Sequence, residues 1–514
     1  MASDVTTLPL RGRPADERPA GGHRWRTGRR ARALVGANAV LAGALALALI
    51  VALSLLVVVI AANRPSPLVP ITRAHFFPHW VAGPLGGLWP SLTGNGTTLE
   101  YWFTGAMVVM YISYLVLVRC APQLPARWVL GAILAVHVIF VLAPPLTLTD
   151  VFNYINYGRM EVVHNLNPYT TIPVLEPHDD PSYSLSNWHE LLSPYGPLFT
   201  LLTFAVVPLG VAASFWVLKS VLVLTSLATI FLVWRCAQLL GRDPVAAVAF
   251  VGLNPIVLVW GLGGDHNDFL MVFFIVLGFY LLLLAREQRE AGRPPGVGWR
   301  GRLLPLSLPD FAAGAAFVAA VGLKASAGVL LPIVFVGLLR APRVLLRVVV
   351  GMVAAGAVIG VASLLAFGLH IPDLSTQSQV VSNESVPNLI GLAIGVGGET
   401  EGLRTIVTGV LAIIVLLCCR LAWRRRDSIT ASGWAMVALV FTLGWVLPWY
   451  VLWALPLAAL SRSRRLRAAA LVAGAYLIVT WAPASGRLWN EIGFHPESTP
   501  LGRLHQRYVK ELLR

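Results

Sequence analysis

Charge is scarce in this sequence. Of 514 residues 12% are charged, and acidic side chains are the rarer kind, 24 Asp and Glu against 39 Lys and Arg. A soluble domain carries about 25% charged residues, and with 57% hydrophobic residues and a mean hydropathy of +0.72 the chain excludes water as its main solvent. Cysteine is also rare. Cys120, Cys236, Cys418 and Cys419 sit in apolar segments or at ends assigned to the cytoplasm, which excludes an external disulfide framework and zinc-ligand spacing. There is no GxSxG, HExxH, phosphate-binding P-loop or kinase motif set, and no internal repeat. The basic surplus, net charge +15, does not indicate nucleic acid, because no basic stretch carries interleaved aromatic residues. Arg and Lys cluster between apolar runs, the arrangement that orients membrane segments.

What the chain does have is long apolar runs. The first, residues 34–62, is far longer than a ~7–15-residue signal-peptide core and reads as a retained helix. Arg24, Arg26, Arg29, Arg30 and Arg32 hold its start in the cytoplasm. Residues 1–33 lack apolar periodicity and read as a disordered basic cytoplasmic tail. Alternating the remaining runs with their Arg clusters gives an all-α integral membrane domain over residues 34–484, a bundle of about 13 transmembrane helices with an external tail at 485–514. Residues 197–210 are apolar but too short to cross, and read as re-entrant or interfacial. Residues 311–339 are apolar except for Lys324, between two Arg-rich flanks. A hairpin of short helices with Lys324 at its outer tip avoids the ~2.5–3.5 kcal/mol cost of a charge at mid-membrane.

Uncommon polar residues gather on the external side of this topology. The segment 147–195, about 50 residues, is too long for a simple connection. It opens on Asp150, which either caps a helix or works as a carboxylate. Asn153, Tyr154, Tyr157 and Arg159 follow at spacings that put amide, aromatic and basic groups near one helical face, a surface suited to hydroxyl-rich substrates. Tyr169 and Tyr195 frame the rest of the loop. Asp265, His266, Asn267 and Asp268 suggest either metal ligation or hydrogen bonding to sugar and phosphate; four consecutive residues point in different directions and do not define a metal site. Lys324 is placed to neutralise a phosphate or to snorkel to the interface.

These segments carry a resemblance. Residues 150–159 (DVFNYINYGR), Asn167-Pro168-Tyr169, 193–199 (SPYGPLF), 253–257 (LNPIV) with 263–268 (GGDHND), and 323–328 (LKASAG) together resemble the actinobacterial polyprenol-phosphate-mannose-dependent alpha-1,6-mannosyltransferases, of the GT-C class. The resemblance covers residues 100 to 485 in order and spacing. It implies a polyprenyl phosphomannose donor, an alpha-1,6-linked mannan or lipoglycan acceptor, and an active site at the outer face of the plasma membrane. By motif position Asp150 is the catalytic carboxylate, and His266, Asn267 and Lys324 surround donor and acceptor; at Asp265 the family can carry a small or apolar residue. The family's donor is beta-linked, so one displacement inverts it to an alpha product. Asp150 accepts the acceptor proton, and Lys324, Arg159 or His266 stabilises the departing phosphate. No cofactor is required on this reading, and a divalent metal is compatible with it. The rival class is a polytopic transporter or lipid flippase, which would concentrate charge near the midplane and show paired halves.

Overall fold

A computed structural model describes residues 22–63, 78–89, 96–147, 150–291 and 308–513, with side chains from residue 37 onward. Every regular element among them is helical. The helices in chain order are α1 (Gly22–Asn63), α2 (Gly96–Cys120), α3 (Ala126–Val141), α4 (Asp150–His164), α5 (Pro197–Phe204), α6 (Gly210–Leu239), α7 (Pro244–Gly252), α8 (Asp268–Glu290) and α9 (Leu308–Leu323). They continue with α10 (Leu331–Leu338), α11 (Pro342–Phe367), α12 (Val386–Ala393), α13 (Glu401–Arg425), α14 (Ser428–Thr442), α15 (Leu455–Leu460), α16 (Arg464–Trp481), α17 (Ser485–Glu491) and α18 (Pro500–Leu512).

Among the described residues six helices are long and apolar enough to cross a membrane, or seven if α16 and α17, bent by 77°, form one span. The sequence led us to expect about 13. Several of the apolar runs counted as crossings are helices of 6–16 residues, such as α3, α9, α14 and α15, shorter than the ~20 residues a perpendicular crossing needs. The outer helices have the surface of a protein solvated by lipid, with Leu365 and Val358 on α11 82% and 70% exposed and Leu416 on α13 68% exposed.

Several local expectations change. α1 begins at Gly22, so the segment expected to be disordered through residue 33 is helical in its last part; residues 1–21 lie outside the described residues. Segment 147–195 is not an open loop, because α4 occupies 15 residues of it and is buried along most of its length. The tail beyond residue 485 folds into α17 and α18. The apolar piece at 197–210 is the eight-residue α5 followed by a 3-10 turn, with Gly210 at φ +79° where α6 starts. The break between α9 and α10 falls at Lys324, whose backbone is extended.

The break that matters most to the site lies in residues 253–262. Asp243 caps α7 by accepting from the Val245 and Ala246 N–H groups, and Pro244 starts the helix. Pro255 then prevents its continuation. The Asn254 side chain accepts from the Ile256 and Val257 N–H groups at 3.0 and 3.4 Å, and a π-helical turn over Val257–Leu262 delivers the 263–268 loop into the bundle interior. Helices α9 and α11 meet through glycine. An added Cβ at Gly314 would lie 1.9 Å from the Val348 carbonyl oxygen, and one at Gly351 1.9 Å from that of Phe311, the close backbone approach that membrane helices use. Gly351→Leu is therefore expected to cost ~1–3 kcal/mol or more through overpacking, read as a lower thermal midpoint in detergent. Gly360→Leu on the same helix meets open space and is expected to leave the midpoint unchanged.

Candidate active site

The site is assembled from three separated segments. The N–H of Leu146 donates to the Gly263 carbonyl at 2.7 Å, which ties the entry to α4 to the 263–268 loop and brings Asp150 beside His266. Two glycines make this approach possible. A Cβ at Gly263 would lie 2.6 Å from the Leu146 side chain, and one at Gly264 would lie 2.4 Å from His266 Nε2. Asp265 sits at φ +57° in the left-handed region.

Of the loop's carboxylates, two are saturated. Asp265 accepts from Lys219 Nζ at 2.8 and 3.0 Å, both side chains being fully buried. Asp268 accepts from Lys324 Nζ at 2.8 and 2.9 Å and from Trp453 Nε1 at 2.5 Å. Lys324 Nζ also lies 5.0 Å from the Tyr450 ring centroid and 5.4 Å from that of Trp453, and keeps 20% of its side chain exposed. Asp150 has no lysine. Its Oδ2 is 3.2 Å from His266 Nδ1, off the hydrogen-bond direction, so that both His266 ring nitrogens lack a hydrogen-bond partner. The imidazole is held by stacking on Trp449, with centroids 3.4 Å apart. Both side-chain polar atoms of Asn267 are likewise buried without partners. Such orphaned groups are uncommon in a folded interior, and here they stand next to the carboxylate that opens on a cleft. Asp150 lines that cleft with Tyr157, Trp188, Tyr195, Gln377 and Trp445.

Other residues singled out in the sequence prove to be supports. The Tyr154 hydroxyl accepts from the Asn267 N–H at 3.3 Å and lies in the field of Asp150, Asp265 and Asp268, so it stands among the loop's charges. Asn153 accepts from the Asn187 and Trp188 N–H groups and thereby sets Trp188 in the cleft wall. Tyr157 donates to the Leu191 carbonyl at 2.7 Å. Tyr169 donates to the Tyr195 carbonyl at 2.9 Å and bonds Thr200, which fixes the turn before α5. Arg159, considered for stabilising the phosphate, forms a fork on Asp180 at 2.8–3.0 Å. Burial opposes ionisation of Asp180, but Arg159, Ser182 and His164 outweigh it and hold the carboxyl well below its usual range. Nearby, burial pushes the Glu176 carboxyl up to about 7, against the hydrogen bond from Asn156.

Lys219, Trp188, Gln377, Trp445 and Trp453 were missed in the sequence. A signal existed for some of them: Lys219 is a lone charge in an apolar run, and Trp445, Trp449 and Trp453 recur at every fourth position across Pro448. Among the described residues no three His, Cys, Asp or Glu side chains are grouped as a metal would require. All four cysteines are free.

A family model described as "Alpha-(1->6)-mannopyranosyltransferase, N-terminal domain" matches residues 40–341, and one described as "MptB C-terminal domain" matches residues 383–497. The sequence is 30% identical over 377 residues, 67% of each chain, to alpha-(1->6)-mannopyranosyltransferase A of Mycobacterium tuberculosis. It is 27% identical over 361 residues, 62% of this chain and 67% of the relative, to alpha-(1->6)-mannopyranosyltransferase A of Corynebacterium glutamicum. No solved structure matches significantly.

The Lys219–Asp265 pair is fully buried, so removing one partner strands the other charge. Lys219→Met is expected to destabilise the protein by ~3–5 kcal/mol, and Lys219→Met combined with Asp265→Asn to recover most of that loss. Thermal midpoints in detergent decide it; a double variant as unstable as the single one means the pair is not compensating charge.

Proposed function

We propose, for a chain that belongs to the alpha-(1->6)-mannopyranosyltransferase family, that Asp150 is the base of an inverting mannosyl transfer. The protein is a mannosyltransferase of the membrane that extends an alpha-1,6-linked mannan acceptor. The observation that carries the role of Asp150 is its isolation from fixed cations: Asp265 and Asp268 are each spent on a lysine, and Asp150 alone of the three faces the cleft.

The donor in this proposal is beta-linked polyprenyl phosphomannose. The acceptor's 6-hydroxyl oxygen attacks the anomeric carbon as the bond from that carbon to the phosphate oxygen breaks, and the bonding pair leaves with the lipid phosphate. The hydroxyl proton passes to Asp150, which requires ~2.6–3.2 Å contact or one bridging water. His266, stacked on Trp449 with Nδ1 3.2 Å from Asp150 Oδ2, stands beside the carboxylate with both ring nitrogens free for substrate. Lys324, preset by Asp268 and the Tyr450 and Trp453 rings, balances charge on the departing phosphate. Since the leaving group is a monophosphate, we write the step without a metal.

In the same proposal the short apolar helices pair with the long ones into about 13 crossings. The amino terminus faces the cytoplasm and the cleft faces outward, in a plasma membrane where the lipoglycan acceptor is assembled. The Arg-rich ends of α6, α8 and α13 support this orientation. A cysteine replacing Asp179, exposed on the site side, is expected to react with a membrane-impermeant thiol reagent in intact cells. One replacing Glu287, exposed near the far end of α8, is expected to react only after lysis. The reverse pattern would turn the site inward.

Asp150→Asn keeps size and capping capacity but removes the base, so transfer is expected to fall ~10²-fold or more with little change in thermal midpoint. Asp150→Glu is expected to keep intermediate turnover. Full activity in a well-folded Asn variant would remove Asp150 from this role.

A further inference from the structure

A second cavity, of mixed apolar and polar lining, adjoins the cleft and shares a wall with it. Trp445 lines both. On its far side Asn383, Glu384, His505, Gln506 and Lys510, with Trp481 and Val509 among them, line a cavity of about 320 Å³. The outer wall is α18, which lies beyond the residues that match the family. This helix is fastened to the cleft itself. Leu512 is buried against Leu191 and Val380, both cleft-lining residues, with Trp188, Trp445 and Val509 packed around them. Its carbonyl accepts from the Glu190 N–H at 3.2 Å, and the Tyr508 hydroxyl donates to the Thr376 carbonyl at 3.1 Å. At the other end Thr499 donates to the Gly397 carbonyl at 2.7 Å.

The chemistry of this cavity suits a neutral, hydroxyl-rich chain. An indole face offers stacking, amides at Asn383 and Gln506 both donate and accept, and one lysine is balanced by one carboxyl, so no single charge sign selects a phosphate or a metal. Asp150 and Trp445 line one cleft, and Trp445 is also a wall of the second cavity.

We infer that the groove between Trp445 and α18 holds the non-reacting sugars of the acceptor, as a subsite for an oligomannoside several units long. This rests on the proposed mannosyl transfer for the identity of the sugar. The subsite makes the protein sensitive to acceptor length: remote contacts add binding for long acceptors and nothing for short ones.

The test measures binding of alpha-1,6-mannotetraose and alpha-1,6-mannobiose to the detergent-purified full chain by calorimetry, beside transfer kinetics with both acceptors. For Gln506→Ala/Lys510→Ala, and independently for Asn383→Ala on the opposite wall, tetraose binding is expected to weaken about tenfold through lost hydrogen bonds. The ratio of kcat/KM for tetraose to that for mannobiose is expected to fall with it. Thermal midpoints verify folding. Unchanged tetraose affinity in both folded variants, or a wild-type protein that binds tetraose no better than mannobiose, would overturn the subsite. Length-dependent binding lost in the variants, but with no mannose transferred by wild type, would uphold the groove and defeat the transfer reaction.

Discussion

The 263–268 loop places four charged or polar side chains where an apolar bundle offers no water, and the rest of the site depends on how that charge is balanced. Lys219 and Lys324 come from α6 and from the break after α9, and each closes on one loop carboxylate. Desolvating an ion costs several kcal/mol even after relaxation, and only a close partner offsets it. The two pairs therefore constrain the relative positions of α6, α8 and α9, and they bind the loop to helices that its own backbone does not reach. Trp453 adds a donor to Asp268, so the segment after Pro448 is recruited to the same point.

Backbone breaks supply the other half of the construction. An unbroken helix would carry residues 244–290 straight through the bundle and leave no place for a loop. The Asn254-Pro255 step interrupts it, and Asn254 satisfies two N–H groups freed by the interruption. Gly263 and Gly264 then allow contact with Leu146 and His266 that no side chain would permit. Irregular backbone is tolerated at membrane depth where protein surrounds it, and residues 254–268 are buried throughout.

How much of this was legible follows from the range of each interaction. The GGDHND loop, Asp150 and Lys324 were visible because polar residues in an apolar sequence stand out, and motif order joined them. Lys219 stood out equally but has its partner 46 residues away, and spacing along a chain does not reveal such a pairing. Arg159 looked functional because it shares a helix with Asp150; its partner Asp180 lies in irregular structure that no periodicity predicts. The helices themselves were found near their expected places, since an apolar run without proline has few alternatives. Where a run is divided, as at Pro255 and Pro448, hydropathy records which residues avoid water and not how the pieces are arranged.

The distribution of satisfied and unsatisfied groups separates scaffold from site. At Asp180, Arg159, His164 and Ser182 converge on one carboxylate. Around His266 and Asn267 the opposite holds: four buried polar atoms have no partner. A free-energy cost of ~1–3 kcal/mol attaches to each group left unmade. Such a cost persists only where neighbouring structure fixes the groups in place, as Trp449 fixes His266 by stacking. The lysine pairs fix the loop that carries His266 and Asn267, and these unpaired groups stand beside the one carboxylate that the lysines leave open.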